Sequence, residues 1–293
     1  MRILVIGGTR LVGRQIASAA IERGHDVTLF NRGKTDPAGL SGASLLTGDR
    51  DRDLSALATG EWDATVDACA YHPRQVRTLL DALGRRGGQY AFISTVSVYV
   101  QDLPDGFTEA APLLPPEWSD DAGMEKYGES KVACEQVAAE LAGDNLLVIR
   151  PGYVIGPHDY TERFTHWVRV VAKGEPFDGP AADQPLQTID GRDLGAFTIS
   201  CIEQGLGGAF HVTAPQDVPT FREVLETIAS ALDVPLPEVT WGDPDDEGDE
   251  LPLSAERSWW PMMRADLTKA VDAGLRWRPL EETVRDTASF VGL

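Results

Sequence analysis

The 293-residue chain is 42% hydrophobic and 25% charged, a globular composition that excludes disorder as the dominant state and supplies a sizeable core. Its 26 basic and 46 acidic residues leave a formal net charge of −20, a field that repels phosphate backbones and anionic lipid, so no nucleic acid and no membrane is expected as a partner. Its longest apolar runs fall short of the roughly 18 residues of a membrane span, and the start MRILVIGG lacks the pattern of a signal peptide. Three dispersed cysteines (Cys69, Cys134, Cys201) and five histidines give neither a disulfide framework nor a metal-ligand spacing, so a cytoplasmic protein without a metal is expected, acting on a small molecule.

In chain order, Arg2–Ile6 is predicted as a fully buried strand and Gly13–Arg23 as a helix, with Ile16, Ala19, Ala20 and Arg23 on its inner face and edge. Further strands are predicted at Val27–Asn31, Ser44–Thr47, Thr65–Cys69, Tyr90–Thr95 and Leu146–Arg150, with helices such as Pro73–Leu83 and Met124–Leu141 between them. Apolar strands alternating with helices indicate a doubly wound α/β fold of Rossmann type, with a parallel sheet covered on both faces. After Pro151 proline, glycine and tryptophan become frequent and the loops lengthen. The expected division is a dinucleotide-binding domain over 1–155 and a mainly substrate-binding region over 156–293. Segments near 186–213, Gln187–Asp190 and Ala209–Val212 among them, would return to the first domain. The run Asp243–Glu250 is too polar for a core and reads as a solvated loop.

The segment Gly7-Gly8-Thr9-Arg10-Leu11-Val12-Gly13 joins the first strand to the first helix, the context of a dinucleotide-binding turn. Gly7 would permit the tight turn and Gly13 a close approach of helix to strand. The free N–H groups at the helix start would face a pyrophosphate. At the end of the second strand, where NAD sites carry an acidic residue, stands Asn31-Arg32-Gly33-Lys34. Arg32 could clamp a 2′-phosphate, with Lys34 and Arg10 adding charge, so NADP(H) is favoured over NAD(H). Against this stands the reading of these cations as solvated loop residues. Asp49, with Arg50 beside it, falls where the third strand's end would meet the adenine edge, although Asp49 could equally cap a helix.

Tyr127 and Lys131 lie four residues apart, on one face of a predicted helix. An ammonium beside a phenol would lower its pKa and make an acid/base able to exchange a proton with a carbonyl or alcohol while a nicotinamide exchanges the hydride. The hydroxyl-rich end of the Tyr90–Thr95 strand, Ser94 and Thr95, would lie where ligands gather in an open α/β sheet.

With these pieces the chain resembles the short-chain dehydrogenase/reductase superfamily, in its extended, epimerase/dehydratase-like branch. The resemblance rests on GGTRLVG at 7–13, FISTVSVY at 92–99, YGESK at 127–131, RPGYVIGP at 150–157 and AGLRWRPLEE near the C-terminal end, so that it spans almost the whole chain. It implies Tyr127 as catalytic acid/base, Lys131 as its pKa-lowering partner and holder of the nicotinamide ribose, and Thr95 as the hydroxyl on the substrate oxygen, with Ser94 next to it. It also implies that Pro151, Gly152, Tyr153 and Val154 pass the nicotinamide and that Cys69 and Ala70 line the adenosine side. A homodimer through paired helices would fit the same branch. Two departures narrow the activity. Arg10 replaces the usual middle glycine, and this GGxxxxG form resembles an atypical subgroup containing sugar-nucleotide enzymes, isoflavone-reductase-like proteins and proteins linked to chloroplast RNA. Val96-Ser97 follow Thr95 where sugar 4,6-dehydratases carry Asp-Glu, so water elimination is not expected.

The implied activity is hydride transfer at a hydroxyl or ketone carbon of a polar substrate, a sugar nucleotide being one candidate, by a reductase, dehydrogenase or epimerase. The alternative is a non-catalytic NAD(P)-binding redox sensor or RNA-associated protein. Substrate contacts are sought at Ser97, His158, Arg163, Trp167 and Arg192. Aromatics at the spacing of Phe164 and Trp167 are as readily core, and Arg192 as readily a structural ion pair. The Trp259-Trp260 pair would either close the pocket or only fill it.

Overall fold

The structure, a computed structural model, describes residues 1–35, 39–244 and 251–293. The acidic run read as a loop lies, from residue 245 onward, outside the described residues. The first half runs β1 (Arg2–Ile6), α1 (Leu11–Glu22), β2 (Asp26–Asn31), β3 (Ala43–Thr47), β4 (Ala64–Asp67), α2 (Pro73–Leu83), β5 (Gln89–Ile93), α3 (Tyr127–Ala142) and β6 (Leu146–Pro151). The second runs β7 (Tyr153–Ile155), α4 (Arg163–Lys173), β8 (Phe177–Gly179), β9 (Thr188–Asp190), α5 (Gly191–Glu203), β10 (Gly208–Val212), α6 (Phe221–Ala231), β11 (Val239–Trp241), α7 (Thr268–Asp272) and α8 (Leu280–Phe290).

Seven strands form one parallel sheet in the order β10-β6-β5-β4-β1-β2-β3, the doubly wound fold expected from the alternating pattern. The two-residue period of β1 sorts its side chains between two cores. Ile3 and Val5 face α1 and α5, packing with Ile16, Ala20, Leu194 and Phe197. Leu4 and Ile6 face α2 and α3, packing with Val76, Leu79, Cys134 and Val137. Helices α1 and α5 cross closely because Gly195 has no side chain; a Cβ there would stand 2.6 Å from the Gln15 carbonyl oxygen. A third core joins α4, α6 and α8 around Phe164, Trp167, Phe221, Ile228 and Val284.

Of the two later β segments, Gly208–Val212 lies in the large sheet beside β6, whereas Thr188–Asp190 pairs with β7 in a separate two-stranded ladder. The strands expected at Thr65–Cys69 and Tyr90–Thr95 end two residues early. The Asp67 carboxylate accepts the Cys69 N–H, and Thr95 Oγ1 accepts the Ser97 N–H, so each chain turns off the sheet. Both turns occur at carboxyl ends of strands. The order reverses between β1 and β4, and there the fold opens its crevice.

Candidate active site

A cleft of about 890 Å³ runs along the carboxyl ends of β2, β1, β4, β5 and β6. Its floor is the glycine turn. Gly7 takes φ = +86°, and a Cβ on it would meet Cys69 Sγ at 2.7 Å. Gly13 seats α1 against the turn, where a Cβ would meet the Gly7 carbonyl oxygen at 2.9 Å. Thr9, Arg10, Leu11 and Val12 line the cleft. The first turn of α1 has no acidic residue and no side-chain cap, so its N–H groups are open to an anion. Gly8 is not a lining residue: it turns inward, where a Cβ would strike the Leu29 side chain at 2.7 Å. This cradle fits a pyrophosphate.

Asn31, Arg32 and Lys34 line the cleft at the end of β2. Asn31 Oδ1 accepts the Gly33 N–H at 2.7 Å, while its buried Nδ2 has no partner and is a donor suited to a ligand oxygen. Asp49 also lines the cleft, but its carboxylate accepts the Asp51 N–H in a tight turn instead of capping a helix. Arg50 is held from below. Its guanidinium makes two bonds to the Asp67 carboxylate, at 2.7 and 2.9 Å, and reaches Cys69 Sγ and the Gln75 carbonyl. Burial alone would raise the Asp67 carboxyl pKa, yet the Arg50 charge and the hydrogen bonds outweigh it and hold the group below the ordinary range. Arg50 is therefore a wall residue already paired, as the fork geometry of a guanidinium permits. Cys69 lines the cleft; Ala70 is fully buried behind it, contributing its carbonyl to Lys131.

Thr95, Tyr127 and Lys131 meet where β5 ends against the start of α3. Thr95 and Tyr127 both line the cleft, and the Thr95 hydroxyl donates to Ser97 Oγ at 3.1 Å. Lys131 Nζ donates to the Ala70 and Ile93 carbonyls at 3.0 and 2.6 Å. The expected lowering of the phenol pKa does not appear. Burial first, then the neighbouring Tyr71, push Tyr127 well above the ordinary phenol value, against the opposing influence of the Thr95 hydroxyl and the Arg163 charge. Two of the three Lys131 donors are fixed on backbone carbonyls.

Ser94, expected beside the cofactor, lines the cleft, and its hydroxyl donates to Glu135 Oε1 at 2.5 Å. Glu135 pairs with Arg150 through two bonds, at 3.0 and 2.6 Å. Arg150 donates on to Tyr99 Oη at 2.6 Å, and Tyr99 Oη lies 2.7 Å from His211 Nε2. This buried chain ties α3, β5, β6 and β10 together directly under the site. Pro151, Gly152, Tyr153 and Val154 leave β6 along the cleft wall.

Of the expected substrate contacts, Ser97 and Arg163 line the cleft. The other three do not. His158 packs on the Phe290 ring, with centroids 4.4 Å apart. Trp167 is 1% exposed, in the third core, donating to the Pro252 carbonyl. Arg192 is taken by Asp190 and Asp286, the structural ion pair. Tyr160, whose place after the RPGYVIGP motif makes it a candidate for stacking on a substrate ring, lines the cleft, as do Tyr71, Gln187, Ser254, Glu256, Met262 and Met263, which the sequence did not mark. They carry no motif; the chain between 251 and 263 reaches the cleft by tertiary return, and the Trp pair was its one sequence mark. Trp259 lines the cleft, while Trp260 is buried under the Arg257 guanidinium. Among the described residues there is no cluster able to hold a metal ion, and no helix long and apolar enough to cross a membrane.

The model of the NAD dependent epimerase/dehydratase family matches residues 62–187. Among curated proteins, the chloroplast stem-loop binding protein of 41 kDa b from Arabidopsis thaliana is 27% identical over 265 residues, covering 83% of this chain. The chain spans 66% of the length of that relative. Among solved structures, a protein of Burkholderia cenocepacia described as a candidate epimerase superposes with a TM-score of 0.79 at 22% identity, covering 100% of this chain and 98% of that one. UDP-N-acetylglucosamine 4-epimerase from Methanobrevibacter ruminantium gives 0.77 at 17% identity, covering 99% and 97%. The Bordetella bronchiseptica enzyme WbmH, solved with NAD+, gives 0.75 at 18%, covering 99% and 98%. The fold is theirs, and the family match agrees with the resemblance carried by the motifs to the extended epimerase/dehydratase-like branch.

Proposed function

We propose that the chain is an NAD(P)-dependent oxidoreductase or epimerase of the short-chain dehydrogenase/reductase type, acting at a hydroxyl or ketone carbon. The observation that carries this reading is the convergence of the Thr95 hydroxyl, the Tyr127 phenol and the Lys131 ammonium on the cleft floored by the glycine turn. Residues 1–155, joined by α5 and β10, would hold the dinucleotide, and the rest would shape the substrate pocket. A bound nicotinamide dinucleotide supplies a hydride acceptor or donor. The open N–H groups of α1 would hold its pyrophosphate, and the third Lys131 donor its ribose hydroxyls. With its pKa raised, Tyr127 stands protonated at neutral pH and acts as the proton donor to a carbonyl oxygen, which Thr95 orients. That protonation state suits the reductive direction. Tyr127→Phe should lower kcat by about 10²- to 10⁴-fold while leaving cofactor affinity within about twofold; undiminished turnover would remove the mechanism.

Arg32 and Lys34, lining the end of β2, support NADP(H) as the preferred cofactor. The double variant Arg32→Ala/Lys34→Ala should weaken NADPH binding at least about tenfold, a charge-assisted hydrogen bond contributing about 1.5–3 kcal/mol, and leave NADH binding nearly unchanged. Both are read by titrating the emptied protein. Mass analysis of nucleotide released from denatured protein separates a recycled cofactor, as an epimerase needs, from an exchanged one.

The plant relative's name motivates a second reading, association with structured RNA. A net charge of −20 opposes it. Retardation of a stem-loop RNA at low salt by the purified protein would favour it.

A further inference from the structure

Charges along the cleft are unevenly placed. Its described lining holds six cations: Arg10, Arg32, Lys34, Arg50, Lys131 and Arg163. Arg32 and Lys34 sit at β2, three strand spacings from β5 and hence roughly 14 Å from the end that carries Thr95. Arg50 is paired with Asp67, and Lys131 is fixed on two carbonyls. Arg10 belongs to the glycine turn, lying 4.7 Å over the Tyr160 ring. Arg163 is left to serve the substrate half, placed over the Tyr153 ring at 5.4 Å with its Nε on Thr161 Oγ1 at 3.2 Å.

Beyond Arg163 the lining includes Val96, Trp259 and Met262, which pack in one apolar cluster, and Met263, together with the polar Ser97, Gln187 and Ser254 and the exposed Glu256. Methionine thioethers and an indole make an adaptable apolar surface suited to a hydrocarbon or aromatic body. A diphosphate brings at least two negative charges, which a half-buried cleft must match with cations or donors. Here Arg163 is the cation left to answer them, beside the neutral donors Ser97, Gln187 and Ser254, and the Glu256 carboxylate adds negative charge to the same lining.

We infer that the substrate is a carbonyl compound with an apolar or aromatic body and at most one anionic group, seated against Arg163 and the Trp259–Met262–Met263 wall, and not a nucleoside diphosphate conjugate. This rests on the cofactor reading above, and the test separates the two. The protein is first titrated with NADP+; failure to bind it overturns the cofactor reading itself. The NADP+-loaded protein is then titrated calorimetrically with benzoylformate, its methyl ester and UDP. Expected is binding of benzoylformate at least about tenfold tighter than UDP, weakened about tenfold by Arg163→Ala, with the ester little changed by that substitution. Substituting Met262→Gln should weaken both aryl compounds and leave NADP+ binding as it was. UDP binding as tightly as benzoylformate, or no binding of benzoylformate at millimolar concentration, overturns the substrate inference and leaves the cofactor reading standing.

Discussion

Removing the Arg50 guanidinium would strand the Asp67 carboxylate, fully buried under the cleft, with Tyr90 Oη and the Cys69 N–H as its remaining partners. Breaking a buried pair by deleting one partner typically costs about 3–5 kcal/mol. Arg50→Ala should therefore lower unfolding stability by about that amount in urea denaturation. Arg50→Ala/Asp67→Asn should lose less, because no unpaired charge is left behind. The same residue shows what can be read from a linear chain. Its charge and its place after the third strand were visible, which is why it was expected on a cofactor. That its fork would close on a carboxylate 17 positions later depends on how β3 and β4 flank β1 and β2. Arg192 and Trp167 had two readings each in the sequence, and only the surroundings supplied by other segments decided between them.

Much of the first half was legible because β1, β4, β5 and β6 are almost wholly buried on both faces while α2 carries one apolar stripe, two different periods in alternation. Pro73–Leu83 has the bounds expected, opened by proline. The lining segment 251–263 was illegible for the opposite reason: it is six residues of irregular chain followed by a 3-10 helix over Arg257–Met263, and no period marks which of its side chains turn inward. The crossing of α1 and α5 is likewise a property of two elements, set by Gly195 against the Gln15 backbone. Gly195→Val must push the helices apart, since the obstructing atoms are backbone. A loss of about 1–3 kcal/mol is expected, read as a lowered Tm, with Gly205→Ala, which meets no atom within 4 Å although its φ is +64°, as a comparison of backbone strain alone.

Across the whole molecule, the chain Ser94–Glu135–Arg150–Tyr99–His211 couples the last strand of the sheet to the site. His211 is fully buried, its Nδ1 on the Asp266 carbonyl at 3.0 Å; around it stand Tyr99, Arg150, Asp266 and Glu109, the last with Oε1 at 4.0 Å. Burial, aided by Arg150, depresses its pKa below the ordinary imidazole value despite the pull of Glu109. A depressed pKa means that the unfolded chain takes up the proton first, so stability rises with pH through this window. The contribution is present above about pH 6.5 and lost as pH falls below it. Tm should therefore drop between pH 7.5 and 5.5, and His211→Gln should flatten that drop, leaving the smaller parts from His158 and His166, which are shifted the same way. The position of β10 also has a consequence in time. Its residues, 208–212, are made long after those of β6, 146–151, to which they pair. At about 5–20 residues per second a nascent chain spends several seconds with the β6 edge bare, an edge that can template association with other chains. On the ribosome, then, the sheet is open at one side until β10 emerges, and a chaperone that shields this edge during synthesis would matter more to yield than one acting after release.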